Sequence, residues 1–441
     1  MKLYSTNNPA LRVDFKEAVF NSLPADNGLY MPVDIMPLDK GFLGNLENYS
    51  MQEIAFEVAS SLLDNAIPKN ALRRIIDEAI NFPAPVVQVA EDTYVLELFH
   101  GPSLAFKDFG ARFMSRVMRY FLKDDDKVLD VLVATSGDTG GAVAAGFLGV
   151  ENTRVTILYP KGKVSEVQKL QLTTNAGNIQ AIEIDGTFDD CQLLVKSAFL
   201  DPELNQRFRL TSANSINISR LIPQIFYYFN TYAQLKRQGI DEIVFSVPSG
   251  NFGNIAAGLL AHKLGLPVKQ FLAATNINDT VPSFLQTGVY SPKPSVQTYS
   301  NAMDVGNPSN WVRIVDLFKD DPDKLKSILK AYSFSDEATM AAMNEVFEKH
   351  KYIVCPHTAI AWMATERWKR ENPKDHSALV FLATAHPCKF PDVLPNEVLK
   401  SLQLPEQINE LQTRESRFAT LNTDFAGFKA FLFERAEKSK V

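Results

Sequence analysis

The chain has 441 residues, 46% of them apolar and 22% charged, with a formal net charge of −6 at pH 7. That composition describes a globular protein of two or three domains, and its acidic balance argues against a nucleic-acid surface while leaving room for a local anion site. The three cysteines, Cys191, Cys355 and Cys388, are far apart and form no CxxC, which argues against a disulfide framework and fits a reducing, cytoplasmic setting.

In chain order, the opening MKLYSTNNPALRVDF is polar and carries no apolar secretory core. No apolar run approaches the roughly 18 residues of a membrane span, so no membrane partner is expected. Residues 1–85 read as a helical extension separate from the rest of the chain, with apolar residues at helical spacing in QEIAFEVASSLL and KNALRRIIDEAI. Pro83 and Pro85 then mark a boundary. From residue 93 strands and helices alternate. TYVLELF is a short buried strand, and LAFKDFGARFMSRVMRYFL a helix with Phe109, Phe113, Val117 and Phe121 on one face. VLDVLVAT, TRVTILYP and NIQAIEID are strands, with helices in GAVAAGFLG and VSEVQKLQLTT. FDDCQLLVKSAFL is helical, and a further helix runs from about Arg220. EIVFSVPSG, KQFLAATN and SALVFLATA are strands, and NIAAGLLAHKLG a helix. Such alternation predicts an α/β fold of parallel sheets covered on both faces, with ligands at the carboxyl ends of the strands. The polar stretch 276–310 reads as a functional or mobile loop, and the tail beyond Pro391 as an amphipathic packing arm.

Two glycine-rich turns join a strand to a helix: ATSGDTGGAVA at 134–144 and VPSGNFGNIAAG at 247–258. Glycines allow close main-chain approach, and a helix start adds unpaired amides and a positive dipole end, so each turn is a candidate anion cradle. Either turn alone also fits a tight connection that binds nothing. The chain has no GxxxxGK(S/T), no GxGxxG after a strand, no GxSxG, no HExxH and no tight His/Cys cluster. A P-loop, a dinucleotide site, a hydrolase elbow and a metal site are therefore disfavoured. Lys107 lies near a helix start among Leu104, Ala105, Phe106 and Phe109. Apolar neighbours and a positive helix end favour the neutral amine an imine-forming lysine needs. A surface lysine whose stem covers an apolar strip would give the same local pattern.

HGPSLAFKDFG, SGDTGG, PSGNFGN and ATAHPCKF, together with MKLYSTNN and PADNGLYMP at the start, resemble the threonine synthases in order through nearly the whole chain. These are lyases of the fold-type-II pyridoxal-phosphate (PLP) enzymes, a tryptophan synthase β-like class. The resemblance is to the subgroup with long N- and C-terminal extensions. It implies two open parallel-sheet lobes plus a helical N-terminal extension: an extension at 1–85, a catalytic core at 86–395 with its smaller lobe near 125–210, and a helical tail at 396–441.

The same resemblance implies residue roles. Lys107 would carry PLP as an imine and act as catalytic base. Gly250, Asn251, Phe252, Gly253 and Asn254 would cradle the cofactor phosphate, and Thr384 would meet the pyridine nitrogen. Ser136, Gly137, Asp138 and Thr139 would receive the substrate carboxylate. Ser215, Asn217, Arg220, Lys161 and Lys163 are candidates for the substrate phosphate, although SANSINISR also fits a helix N-cap and Lys161 a solvated side chain. Cys388 reads as a packing residue. The implied reaction takes O-phospho-L-homoserine and water to L-threonine and phosphate, in a monomer or weak homodimer. A related phospho-lyase, a serine/threonine dehydratase, or a non-catalytic PLP-binding protein would keep the same turns.

Overall fold

The computed structural model describes residues 1–123, 127–319 and 321–438. Its strands are Lys2–Ser5 (β1), Arg12–Asp14 (β2), Tyr30–Pro32 (β3), Val86–Ala90 (β4), Thr93–Glu97 (β5), Leu129–Ala134 (β6) and Thr153–Pro160 (β7). Ile179–Ile184 (β8), Arg209–Ser212 (β9), Ile243–Pro248 (β10), Gln270–Thr275 (β11), Leu329–Ser333 (β12), Ala378–Ala383 (β13) and Phe418–Leu421 (β14) complete them.

The opening residues depart from the helical expectation. β1, β2 and β3 form an antiparallel sheet in the order β2-β1-β3. Strands of three or four residues are too short for an alternation to be legible in the sequence. The two expected helices are present at Met51–Leu63 and Lys69–Ala79, the first closed by a capping box between Ser50 and Glu53. The extension is not separate from the catalytic lobes. Ile54, Val58, Leu72 and Ile76 share one apolar cluster with Phe109, Phe226 and Phe245. Asn217, far along the chain, donates to the Val19 carbonyl at 2.8 Å.

The larger sheet has the order β12-β11-β10-β13-β5-β4, parallel except for the antiparallel edge pair β4–β5. Its strands are buried end to end at β10, β11 and β13, as expected for parallel strands with helices on both faces. The smaller sheet is parallel throughout, in the order β14-β8-β7-β6-β9. The helix Lys107–Leu122 packs on Asp138–Phe147 of the smaller lobe and on Ile218–Lys236 of the larger.

Two further expectations are modified. The stretch 276–310 is tied down: it holds the helix Thr280–Thr287, and the Asn276 amide donates to Thr298, Ser300 and Asp304 at 2.8, 3.0 and 2.9 Å. Several of the polar residues read as a functional or mobile loop are members of this network, which holds the stretch in place, and residues 301–305 line the cavity between the two lobes. The tail packs as an arm, but it also adds β14 to the smaller sheet, pairing Phe418 with Ala181 through Leu421 with Ile184. Its helix Phe425–Lys438 then buries Phe428 and Leu432 against Cys191 and Leu194. Among the described residues no helix is long and apolar enough to cross a membrane.

Candidate active site

A cavity opens at the carboxyl ends of β6, β10 and β13, between the two lobes, where crossover topology leaves a crevice in parallel α/β sheets. Each of these strands runs straight into a segment singled out by sequence: Ala134 into Ser136–Thr139, Pro248 into Gly250–Asn254, and Ala383 into Thr384. Lys107, Ser136, Asp138, Thr139, Ser215, Arg220, Gly250, Asn251, Phe252, Gly253, Asn254 and Thr384 all line it.

Lys107 is the first residue of its helix. The segment before it is fixed against the one after β13: Phe106 N–H donates to the Thr384 carbonyl at 2.9 Å and His386 N–H to the Leu104 carbonyl at 3.0 Å. Thr384 and Lys107 are thereby held beside each other although far apart in sequence. Leu104 adopts φ +57° and Phe252 φ +59°, a left-handed conformation that costs a side-chain-bearing residue on the order of 1 kcal/mol or more. Phe252 lies within the turn 250–254, and Leu104 three residues before Lys107. Burial lowers the Lys107 ammonium to about 8; the Asp138 carboxylate opposes this, while Lys389 and Arg220 reinforce it. At pH 7 roughly a tenth of the amine is then neutral, far more than for a lysine at its ordinary value.

The turn after β10 is built to receive an anion. The main-chain N–H groups of residues 250–254 have no acceptor among the described residues. They converge at the start of the helix Gly253–Lys263. The Asn254 Oδ1 accepts from Tyr227 and Tyr228, both at 2.7 Å, which leaves its buried Nδ2 without a partner. Unpaired buried donors are costly unless a ligand satisfies them. The site therefore fits a phosphate-bearing cofactor, with unclaimed amides at 250–254 and with the Lys107 amine and the Thr384 hydroxyl lining the same cavity.

The turn after β6 differs in part from expectation. Ser136, Asp138 and Thr139 N–H groups are unengaged, but that of Gly137 donates to Thr135 Oγ1 at 2.9 Å. Gly137 instead supplies the φ of +129° that starts the helix. The Asp138 side chain is committed elsewhere. Its Oδ1 accepts from Lys389 at 2.8 Å and Gln168 at 2.9 Å, and its Oδ2 lies 3.9 Å from the Lys107 Nζ. Burial works to raise this carboxyl, but the Lys389 and Lys107 ammonium groups outweigh it and hold it well below the usual carboxylate range. Any anion received at this turn meets main-chain amides, with the acidic side chain turned aside and neutralised.

The phosphate candidates separate cleanly. Arg220 is buried, donates to the Ala213 carbonyl, and has an Nε without a partner. Ser215 lies beside it on the cavity wall and accepts from the Asn310 amide at 3.3 Å. Asn217 is withdrawn from the cavity: it caps the helix Ile218–Lys236 through Ser219 and binds Val19 and Ser22. Asn217→Ala is expected to destabilise the protein by on the order of 1–3 kcal/mol, lowering the urea midpoint while leaving KM unchanged. Lys161 and Lys163 are exposed and do not line the cavity.

Sequence reasoning missed Lys389, Gln168, His357 and the segment 301–305, which closes one wall. The His357 imidazole is lowered to about 4 by burial, so it is neutral; its Nε2 accepts from Ala302 N–H at 3.2 Å. Cys388 is buried in a small apolar cluster, and burial pushes its thiol up to about 12, in keeping with a packing role.

Two lobes, a part-buried amine with a lowered pKa and a helix start with unclaimed amides are the attributes of a PLP-dependent enzyme, and residues 82–384 match the family described as pyridoxal-phosphate dependent enzymes. Residues 2–80 match the threonine synthase N terminus, and residues 358–432 the threonine synthase C-terminal region. A threonine synthase of Serratia marcescens is 43% identical over 432 residues, covering 98% of this chain and 99% of that protein. The crystal structure of threonine synthase from Escherichia coli superposes with a TM-score of 0.90 at 42% identity, covering 99% of this chain and 100% of that one. A PLP-bound threonine synthase from Brucella melitensis superposes with a TM-score of 0.90 at 34% identity, covering 98% of each. The chain belongs to the threonine synthase family of fold-type-II PLP enzymes.

Proposed function

We infer that the protein converts O-phospho-L-homoserine and water to L-threonine and phosphate, as a carbon–oxygen lyase acting on phosphate. The observation that carries this reading is the pairing, around Lys107, of two separate groups able to meet an anion: the unclaimed amides of 250–254 and the buried Arg220 guanidinium, only part of which is taken up by the Ala213 carbonyl. A cofactor phosphate needs only one of them. The second suits a substrate that brings its own phosphate, which a plain hydroxyamino-acid dehydratase would not require.

Pyridoxal phosphate, when bound, supplies the electron sink that makes protons on the substrate's Cα and Cβ acidic. The protein's part is orientation and proton handling. Residues 250–254 would hold the cofactor phosphate, and the Thr384 hydroxyl would offer the ring nitrogen a neutral partner. The N–H groups of Ser136, Asp138 and Thr139 take the substrate carboxylate, with Gly137 shaping the turn. Arg220 and Ser215 take the substrate phosphate. Held at both ends, the substrate presents its Cα–H to the Lys107 Nζ, which accepts that proton as general base. A neutral amine at about 8 is suited to this work near physiological pH.

Following phosphate, threonine and 2-oxobutyrate together tests the reading. Equimolar threonine and phosphate from O-phosphohomoserine are expected; 2-oxobutyrate from unphosphorylated serine or threonine as the main product would replace it with a dehydratase. Thr384→Val is expected to alter the bound cofactor's absorption and to lower kcat by about 10- to 100-fold, with the cofactor retained. A spectrum and turnover like the parent's would remove Thr384 from the site. The division into an extension at 1–85, a core at 86–395 and a tail at 396–441 is part of the same proposal, as are a cytoplasmic location and action as a monomer or weak homodimer.

A further inference from the structure

Behind the cavity lies a second lysine that the reaction as described does not use. Lys389 is fully buried, in the short 3-10 turn Pro387–Lys389 that comes after β13. Its ammonium donates to Asp138 Oδ1 at 2.8 Å and to the Ser103 carbonyl at 2.8 Å. Gln171 also donates to that carbonyl, at 2.9 Å, and Gln168 to Asp138 Oδ1 at 2.9 Å. Lys389 is thus fixed from several directions. Its contact with Asp138 links it to Lys107, because the other Asp138 oxygen faces the Lys107 Nζ at 3.9 Å, and its positive charge also lowers the Lys107 ammonium directly.

We propose that Lys389 is a positioning residue that keeps Asp138 ionised and charge-balanced, so that Asp138 Oδ2 orients the Lys107 amine whether or not that amine carries a proton. The chemistry requires some such partner. Lys107 must alternate between charged and neutral forms, and each loss of its charge would otherwise leave Asp138 as an unpaired buried carboxylate. Such a carboxylate would hold the proton on Lys107. It would also repel the substrate carboxylate that the neighbouring amides receive. A second, permanently fixed ammonium on the other oxygen removes both difficulties.

Few other charges face this group. Asp108 lies on the Lys107 helix and accepts from Ser103 N–H at 2.9 Å; burial raises it to about 6. Arg220 approaches Lys107 from the helix Ile218–Lys236. His357, His386, Cys355 and Cys388 lie around it as well; burial lowers both imidazoles and raises both thiols, so all four are uncharged near neutral pH, while Arg112 acts on Asp108, and Glu97 and His100 on His386.

The inference rests on Lys107 carrying the cofactor, and the test separates the two claims. Holoenzyme variants Lys389→Met, Lys389→Arg and Asp138→Asn are compared with the parent in two pH series: kcat, and the visible absorption of the bound cofactor. Removing the Lys389 charge leaves Asp138 acting on Lys107 alone, which strengthens proton binding there. Lys389→Met is therefore expected to move the acid limb of kcat, and the spectral midpoint, upward by about one to two pH units. Activity at pH 7 then falls by roughly 10-fold or more, recovering at higher pH. Asp138→Asn removes the attraction and is expected to move both midpoints downward. Lys389→Arg keeps the charge and is expected to stay near the parent. Uniform loss of activity with both midpoints unmoved in Lys389→Met and Asp138→Asn overturns the proposal. If Lys389→Met does not fold, Asp138→Asn decides by the same two readings. A hydride-trapped adduct on Lys107 is mapped in the parent: its absence overturns the cofactor assignment itself, whereas its presence with unmoved midpoints overturns only the role of Lys389.

Discussion

Lys107→Ala is expected to eliminate the hydride-trapped cofactor adduct and to reduce turnover by at least about 10³-fold, the scale on which a combined attachment point and general base acts. The fold should survive. Position 107 opens a helix, where alanine is well tolerated, and Asp138 keeps its bond to Lys389. Mass spectrometry of the reduced, digested protein, with circular dichroism as the control for folding, measures both parts. The natural rival is Lys389, a fully buried lysine near the cavity. An adduct that persists in Lys107→Ala, or that maps to Lys389 in the parent, would defeat the assignment.

Gly250→Val carries the second-largest expected effect. A Cβ at position 250 would stand 2.7 Å from the Met303 Cα and 2.9 Å from the Ala302 carbonyl oxygen. Both are main-chain atoms that cannot rotate away, so the turn and the 301–303 segment must separate. Overpacking of this kind costs on the order of 1–3 kcal/mol, which loosens cofactor binding by about 5- to 150-fold if it is taken from the cradle. The added side chain collides with the opposite wall, rather than with the ligand's path to the amides. Gly253→Ala is the built-in comparison, because its Cβ would come no nearer than 3.4 Å to the Asn310 amide. Titrating pyridoxal phosphate into the cofactor-free variants should rank them accordingly; equal affinities would show that the wall at 302–303 yields freely.

The parts of the site that were legible in the sequence are those whose signal is local. A lysine at a helix start and glycines between a strand and a helix carry their meaning within a dozen residues. The parallel strands β7, β10, β11 and β13 could be read because each is mostly apolar and buried along its whole length. Lys389 could not be read this way. Its role depends on Asp138, which the fold brings across from the other lobe, and nothing near residue 389 marks a buried charge. Asn217 shows the converse: an asparagine before a helix fitted both a ligand and a cap, and only its distant partners Val19 and Ser22 distinguish them. Strands of four residues or fewer, such as β1 to β3 and β14, lack the length for a period to declare itself. They are specified by the surface they complete.

The pairing of β14 with β8 bears on how the polypeptide is made. More than half the chain lies between these two partners. At ~5–20 residues per second, a ribosome needs roughly 10–50 s after finishing β8 before it emits β14. Throughout that interval β8 is an open edge of a parallel sheet, with free backbone groups able to recruit another nascent chain. A protein truncated by a late stop codon would keep every residue of the cavity yet never acquire that final strand, and would be expected to accumulate as aggregate rather than as a weakened enzyme.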